Sequence, residues 1–234
     1  LLSTQLSPKL GWLDAAIELQ AALDRRFLDR EHGGYWMGPS DGETLWVRAK
    51  PIADGAEPTG NAVSASNLLR LHQLTGDAAY RERAEQLFAV FADAVTRLPW
   101  GSPALLEAVD QAFEESREIV LITPSGRDQA EPFFRELARV DLPHRIVVVA
   151  TETDRAKLEP RIPVLSGKRA RGGKVTAYVC MNQVCELPTT ELATFARQLR
   201  HPVRPYPAPP AAAEPAVDSA LPPVGIHRDQ AASH

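Results

Sequence analysis

The sequence predicts a mainly α-helical chain with a C-terminal α/β part. Apolar residues recur at helical spacing in its first half, whereas short runs rich in β-branched residues follow residue 116. A segment rich in proline and alanine begins at residue 201 and offers few large apolar side chains to a core. We therefore expect helical hairpins over 1–116, an α/β subdomain over 117–200 and a disordered tail over 201–234.

The first predicted helix lies in LGWLDAAIELQAALDRRFLD (10–29). Its apolar side chains recur every three or four residues, as on one face of a helix. Two glycines in EHGGYW (31–36) then end it, because glycine adopts backbone angles that other residues resist. A polar, extended connection continues through Lys50.

Two helices joined by a short turn are predicted next. TGNAVSASNLLRLHQLTGD (59–77) indicates a helix that ends at Gly76, and Asp77 would cap the helix that follows. A connection this short favours an antiparallel helical hairpin. A fourth helix is predicted from Pro103 to Glu115, with Ser102 as its cap.

The pattern changes to that of an α/β structure after Ser116. REIVLIT (117–123) and HRIVVVAT (144–151) are β-branched runs separated by an amphipathic segment, which predicts a βαβ unit with parallel strands and a right-handed connection. KVTAYVC (174–180) and QVCEL (183–187) predict a β-hairpin. A closing helix is expected to begin at Thr189 or Thr190.

Composition disfavours two classes of partner. The net charge of −4 is unlike that of a basic nucleic-acid-binding protein. No apolar run approaches the ~20 residues that cross a bilayer, and the N-terminus lacks the pattern of a signal peptide. Two cysteines do not make a disulfide framework. We expect no nucleic-acid or membrane partner and a cytoplasmic location.

Three stretches, in this order, resemble one protein family. They are GGYW with DGAEPTGNAVSASNLLRL, then REIVLI with HRIVVV, then GKVTAYVCMNQVCELPTT. Together they resemble the C-terminal part of the spermatogenesis-associated protein 20 family, thioredoxin-domain-containing proteins called YyaL-like in bacteria. The resemblance covers residues 10–200. It implies an N-terminal thioredoxin-like domain followed by an (α/α) barrel similar to six-hairpin glycosidases and N-acylglucosamine 2-epimerases.

The resemblance also implies that this chain is a C-terminal fragment of a longer protein. Residues 1–116 would be part of the (α/α) toroid, and the thioredoxin-like domain and first hairpins, which are not found in this sequence, would be its missing partners. The intact barrel would bind or modify a carbohydrate-like molecule. The fragment alone is expected to be inactive, and no cofactor is expected.

Asp54 and Glu57 are the candidate catalytic residues, since they lie just before the second predicted helix. Loops at helix ends form the mouth of an (α/α) barrel, and a carboxylate pair there would serve as acid and base. Arg48 and Asn61 would orient the ligand. In the alternative interpretation, both carboxylates only anchor the loop by accepting backbone hydrogens, and small residues allow close helix packing.

Tyr35 and Trp36 follow the glycine turn and form a candidate sugar-binding platform, although such rings more often pack in a core. Arg48 and Lys50 would bind a substrate hydroxyl or carboxylate, or pair with Asp54 and Glu57.

Cys180 and Cys185 would face each other across the predicted hairpin. A reduced pair, a structural or redox-active disulfide, and a metal site are the three interpretations. The metal site is the weakest, because zinc prefers four ligands and no further cysteine or closely spaced histidine pair exists. No metal is therefore expected.

A basic, glycine-rich segment, SGKRARGGK (166–174), precedes the hairpin. It does not match a P-loop, because a strand rather than a helix follows it. Phosphate or RNA contact and a solvated, mobile loop are the two interpretations, and the second is favoured.

Overall fold

The computed structural model describes residues 5–6, 10–43, 46–114, 116–181 and 184–200. In this part of the chain the helices are α1 (Leu10–Arg26), α2 (Gly60–Thr75), α3 (Ala78–Arg97), α4 (Pro103–Phe113), α5 (Glu131–Leu137), α6 (Glu152–Leu158) and α7 (Leu192–Arg200). The strands are β1 (Gln5–Leu6), β2 (Arg117–Thr123), β3 (Ile146–Thr151), β4 (Thr176–Met181) and β5 (Val184–Cys185). Short 3-10 helices lie at Pro99–Gly101, Arg127–Ala130 and Pro163–Leu165.

The predicted fold class, mainly helical with a C-terminal α/β part, is confirmed. The tail predicted over 201–234 lies outside the described residues. Within the described ranges, no helix combines the length and apolar character needed to cross a membrane.

Local chemistry sets the turn between α2 and α3. Gly76 adopts φ 72°, a left-handed conformation that favours glycine, and its N–H donates to the His72 carbonyl. The Asp77 carboxylate accepts a hydrogen bond from the Ala79 N–H at 3.0 Å and caps α3. Both predictions for this turn are confirmed.

The start of α4 is capped differently from the prediction. The Ser102 hydroxyl makes no capping bond and donates instead to the Ile52 carbonyl at 2.9 Å. A backbone N–H group in the first turn of α4 finds its acceptor in a loop distant in sequence, because the Ala104 N–H donates to the Asp54 carboxylate at 2.8 Å. The expectation of a Ser102 side-chain cap was wrong, since a residue 50 positions away supplies the acceptor.

The five strands form one mixed sheet in the order β1-β3-β2-β4-β5. The parallel pairing of β2 with β3 and the hairpin of β4 with β5 are confirmed. β4 pairs with β2 in antiparallel orientation. β1 lies parallel to β3 and was not predicted, because a two-residue strand carries too short a pattern.

The sheet has helices on both faces. On one face, α1, α2 and α6 cover side chains of the three longest strands; this cluster includes Leu13, Leu71, Leu74, Val120, Ile122, Val148, Leu158 and Cys180. On the other face, α5 and α7 cover the alternate side chains; this cluster includes Ile119, Leu121, Phe133, Leu137, Val147, Phe195 and Leu199. Alternation along β2 places Glu118 on the same face as Val120.

Helix α2 contributes to two hydrophobic clusters. Leu71 and Leu74 pack toward the sheet. Ala62, Ala65 and Leu68 belong to a second cluster that includes residues of α3 and α4. The small side chains permit close helix packing, so α2 connects the helical part of the chain to the sheet.

The glycine turn after α1 directs Tyr35 into the helical cluster. Gly33 and Gly34 have φ values of 74° and 72°. A Cβ atom on Gly34 would lie 3.3 Å from Phe91 Cζ, so both backbone angle and space require glycine here.

Candidate functional site

Asp54 joins the starts of two helices. One carboxylate oxygen accepts from the Thr59 N–H at 2.8 Å, at the start of α2, and the other accepts from the Ala104 N–H at 2.8 Å, in α4. Helix N-termini favour negative charge, so both contacts are stabilising. This geometry is that of the anchoring alternative, and a catalytic role for Asp54 stays a prediction.

Glu57 lies in the same loop, with its side chain exposed. It forms no side-chain hydrogen bond or ion pair with the described residues. Its backbone carbonyl accepts from the Gly55 N–H at 3.1 Å. No described residue therefore holds the Glu57 carboxylate in a fixed direction, and its acid–base role stays a prediction.

Asn61 is 2% exposed and fixes the backbone of Tyr35. Its side-chain oxygen accepts from the Tyr35 N–H at 2.8 Å, and its nitrogen donates to the carbonyls of Tyr35 and Pro51 at 3.0 and 3.2 Å. These contacts use the amide oxygen and both amide hydrogens. Asn61 thus holds the glycine turn against α2.

The Tyr35 ring lies in the helical cluster and is 4% exposed. Its hydroxyl donates to Asp24 at 2.7 Å and accepts from Gln20 at 3.1 Å. Arg83 pairs with the other oxygen of Asp24. Burial raises the pKa of Tyr35 far above its usual value, so the hydroxyl stays protonated at neutral pH. This ring packs in the core.

Trp36 is partly exposed and lies beside two cations. The Arg48 guanidinium carbon and the Lys50 ammonium nitrogen lie 4.9 and 4.3 Å from its ring centroid. Arg48 donates to the Gly38 carbonyl at 2.9 Å. Contacts with the protein therefore already occupy the groups predicted to bind a sugar here.

Lys50 pairs with Asp29, not with Asp54 or Glu57. Its ammonium nitrogen lies 2.5 Å from an Asp29 oxygen and donates to the Gly33 carbonyl at 2.7 Å. The hydrogen bond from Lys50 is the main cause that holds the pKa of Asp29 well below its usual range. The pair locks the turn around Gly33.

Cys180 and Cys185 form a disulfide, as one of the three interpretations held. They lie directly opposite each other in the β4–β5 hairpin, which confirms their expected juxtaposition. The structure contradicts the interpretation as a reduced pair. Cys180 is fully buried, whereas β5 is exposed.

A polar cavity of about 470 Å³ lies where the helical part meets the sheet. It is lined by residues of α2, α3, α4 and β2 and by the segment around Pro163–Lys168. Gln111 of α4 lines it, is 5% exposed and forms no side-chain hydrogen bond with the described residues. Gln73 also lines it, and its side-chain oxygen is buried without a hydrogen-bond partner among the described residues.

Opposite charges face this cavity from the sheet and from the basic segment. Burial raises the pKa of the Glu118 carboxyl, and Lys168 partly opposes that rise. Burial lowers the pKa of the Lys168 ammonium, and Glu118 partly opposes that fall. The two charged groups lie more than 4.0 Å apart and form no direct ion pair. A cavity with perturbed titratable groups is a candidate functional site.

Sequence reasoning missed most of this site. Glu118 was visible as a charged residue on the buried face of a predicted strand, in phase with Val120 and Ile122. Lys168 belongs to the basic segment 166–174, for which the sequence favours a solvated, mobile loop over phosphate or RNA contact. Gln73 and Gln111 carry no local signal, because their convergence depends on how distant helices pack.

Comparison with known proteins finds relatives that include several named spermatogenesis-associated protein 20. No family model matches the chain. It is 32% identical to human spermatogenesis-associated protein 20 over 199 residues, which are 85% of this chain and 25% of the human protein. It is 30% identical to the Rattus norvegicus protein of that name over 198 residues, 84% of this chain and 25% of the relative. An uncharacterized Caenorhabditis elegans protein is 28% identical over 181 residues, 76% of this chain and 24% of that protein.

The chain thus spans about a quarter of the length of these curated relatives.

Proposed function

Because this chain belongs to the spermatogenesis-associated protein 20 family, we propose that it supplies the family protein with a binding site for a small, carbohydrate-like molecule. The site is the cavity between α2, α4 and the sheet. The side-chain oxygen of Gln73, which is buried without a hydrogen-bond partner among the described residues, is the observation that carries the proposal.

A polar ligand in this cavity would offset the energetic cost of burying amide groups without hydrogen-bond partners. A buried amide without a hydrogen-bond partner costs about 1–3 kcal/mol. A ligand hydroxyl both donates and accepts, so it satisfies the carboxamides of Gln111 and Gln73 equally well. The volume of about 470 Å³ falls within the usual range for small-molecule sites. A hydroxyl-rich molecule of one sugar ring or slightly more fits these features.

Glu118 is the residue best placed for proton transfer to such a ligand. Its carboxyl lines the cavity, and burial raises its pKa toward the range useful to a general acid. Lys168 faces the same space and would hold a hydroxyl or an anionic group. Asp54 is less suited to acid–base chemistry, since backbone N–H groups occupy both of its oxygens.

The rest of the family architecture is part of the same proposal. The remaining toroid hairpins and a thioredoxin-like domain would lie in the three quarters of the family protein that this chain does not span. Turnover would require that whole protein, in the cytoplasm. Binding in the cavity would not, because the described residues of this chain line it.

Replacing Gln111 with leucine should weaken binding at least about tenfold, because the apolar side chain removes the hydrogen bonds to the ligand. Saturation-transfer NMR with glucose, mannose, N-acetylglucosamine and N-acetylmannosamine measures this. Gln86→Leu, an exposed substitution on α3, is the matched control and should bind as the unsubstituted chain does. Absence of transfer to all four sugars, or equal binding by Gln111→Leu, would contradict the proposal.

The disulfide favours a second candidate, a redox-linked interaction module. Cys180 lies directly opposite Glu118 in the sheet, so opening the bond would change packing beside the cavity. Disulfides in a reducing cytoplasm are usually redox-responsive. Thiol titration should find no free thiols in the oxidised chain and two after mild reduction. Two free thiols under mild oxidation would rule this candidate out.

A further inference from the structure

We propose that Asp110, Glu114 and His144 bind a divalent transition-metal cation, with zinc as the ion that fits best. The site stands apart from the sugar-binding proposal, because its ligands and its test involve no organic molecule. It also departs from the sequence-based expectation of no metal, which considered only cysteines and closely spaced histidines.

The three side chains already lie near coordination geometry. One ligand atom from each lies within 4.8 Å of the others. His144 Nε2 is 3.3 Å from Asp110 Oδ2 and 4.0 Å from Glu114 Oε2. Two ligand atoms bonded to one tetrahedral zinc ion at about 2.0–2.2 Å lie about 3.3–3.6 Å apart. A small rotation of the carboxylates therefore suffices to close the site.

The chain holds one ligand firmly and leaves two adjustable. The His144 side chain is 10% exposed, and its carbonyl accepts a hydrogen bond from the Ser116 hydroxyl at 2.8 Å. Asp110 and Glu114 are four residues apart, at the C-terminal end of α4, so their side chains share one face. Their side chains are 62% and 48% exposed. On metal binding, the His144 imidazole would stay in place and the two exposed carboxylates would rotate toward it.

The local charge favours a cation. Among the described residues, Asp110 and Glu114 form ion pairs with His144 alone. Two carboxylates beside one imidazole leave negative charge in excess, whether or not the imidazole is protonated. No lysine or arginine of the described part offsets it within ion-pair distance. A divalent ion would offset the charge and use all three groups.

The neighbouring cavity adds a second observation. Glu114 lines it together with Gln73, whose side-chain oxygen is buried without a hydrogen-bond partner among the described residues. Zinc with three protein ligands keeps a fourth position open for water or substrate. An ion bound by Glu114 would therefore sit at the edge of a space with unmet polar groups.

The donor set selects the class of ion. One imidazole nitrogen with two carboxylates suits zinc and its neighbours in the first transition series. Magnesium and calcium prefer oxygen ligands alone and would gain little from His144. Tighter binding of zinc than of magnesium would therefore indicate a metal site that uses His144, and not a nonspecific acidic surface.

Isothermal titration of the metal-free chain with zinc chloride tests the site, with magnesium chloride as comparison. We expect one zinc ion to bind in a manner that depends on His144, and magnesium to bind at least about tenfold more weakly. His144→Ala should weaken zinc binding at least about tenfold, since it removes the anchoring ligand. Glu114→Gln, at an exposed position, should weaken it as well and guards against misfolding of the first variant.

His32→Ala is the matched control. His32 also lies beside two carboxylates, those of Asp29 and Glu31, but Asp29 already pairs with Lys50. Zinc affinity should not change in this variant. Unchanged zinc binding in both His144→Ala and Glu114→Gln, or equal affinity for magnesium and zinc, would overturn the proposal.

Discussion

Replacing Asp54 with alanine is expected to lower the free energy of unfolding by about 2–4 kcal/mol. The substitution removes both acceptors that hold the starts of α2 and α4, at Thr59 and Ala104. Asp54→Asn should lose about half as much, because an amide offers a single oxygen. Urea-induced unfolding followed by circular dichroism measures the change.

Glu57→Ala is the matched control for that experiment. Its carboxylate is exposed and unpartnered among the described residues, so stability should change by less than about 0.5 kcal/mol. Equal stability of the Asp54 and Glu57 variants would contradict the anchoring role. A stable Asp54→Ala variant of the longer family protein that lost turnover would instead favour the catalytic hypothesis.

Asn61→Ala should cost about 3 kcal/mol of stability, because it leaves the Tyr35 N–H and carbonyl buried without partners. The glycine turn should loosen at the same time. Amide hydrogen exchange, which should quicken at Tyr35, reports this locally and complements the unfolding measurement.

The same helix provides the control. Asn67 is exposed on α2, and its change to alanine should leave stability nearly unaltered. If Asn61→Ala unfolded at the same urea concentration as Asn67→Ala but bound a sugar more weakly, Asn61 would be the ligand-orienting residue of the sequence-based hypothesis.

Features encoded within a few residues could be predicted from the sequence. The turn at Gly76 and Asp77 and the facing cysteines each depend on neighbours in one short segment. Strand β1 could not be predicted, because its pairing with β3 depends on residues about 140 positions away. The prediction of the α4 cap was wrong for the same reason. The acceptor at the start of α4 is the Asp54 carboxylate, which is distant in sequence, whereas the Ser102 hydroxyl donates to the Ile52 carbonyl.

The candidate sites show the same limit. The sequence singles out Asp54 as a candidate catalytic residue and Asn61 as a candidate ligand-orienting residue, whereas the hydrogen bonds that they form in the structure are with backbone groups. The cavity joins Gln111, Glu118 and Lys168 from three separate elements. His144 meets Asp110 across 34 residues of sequence. Such convergence is a property of packing, for which a single sequence contains no periodic signal.

The double contribution of α2 has a practical consequence for anyone who trims this chain. A version that stopped at residue 116 would expose Leu71 and Leu74 to water. A version that started at residue 117 would expose the strand side chains that Leu71 and Leu74 cover. Either truncated protein should therefore aggregate and be poorly soluble, because it exposes an apolar surface. Shortened versions intended for crystals or NMR should therefore keep α2 and the sheet together.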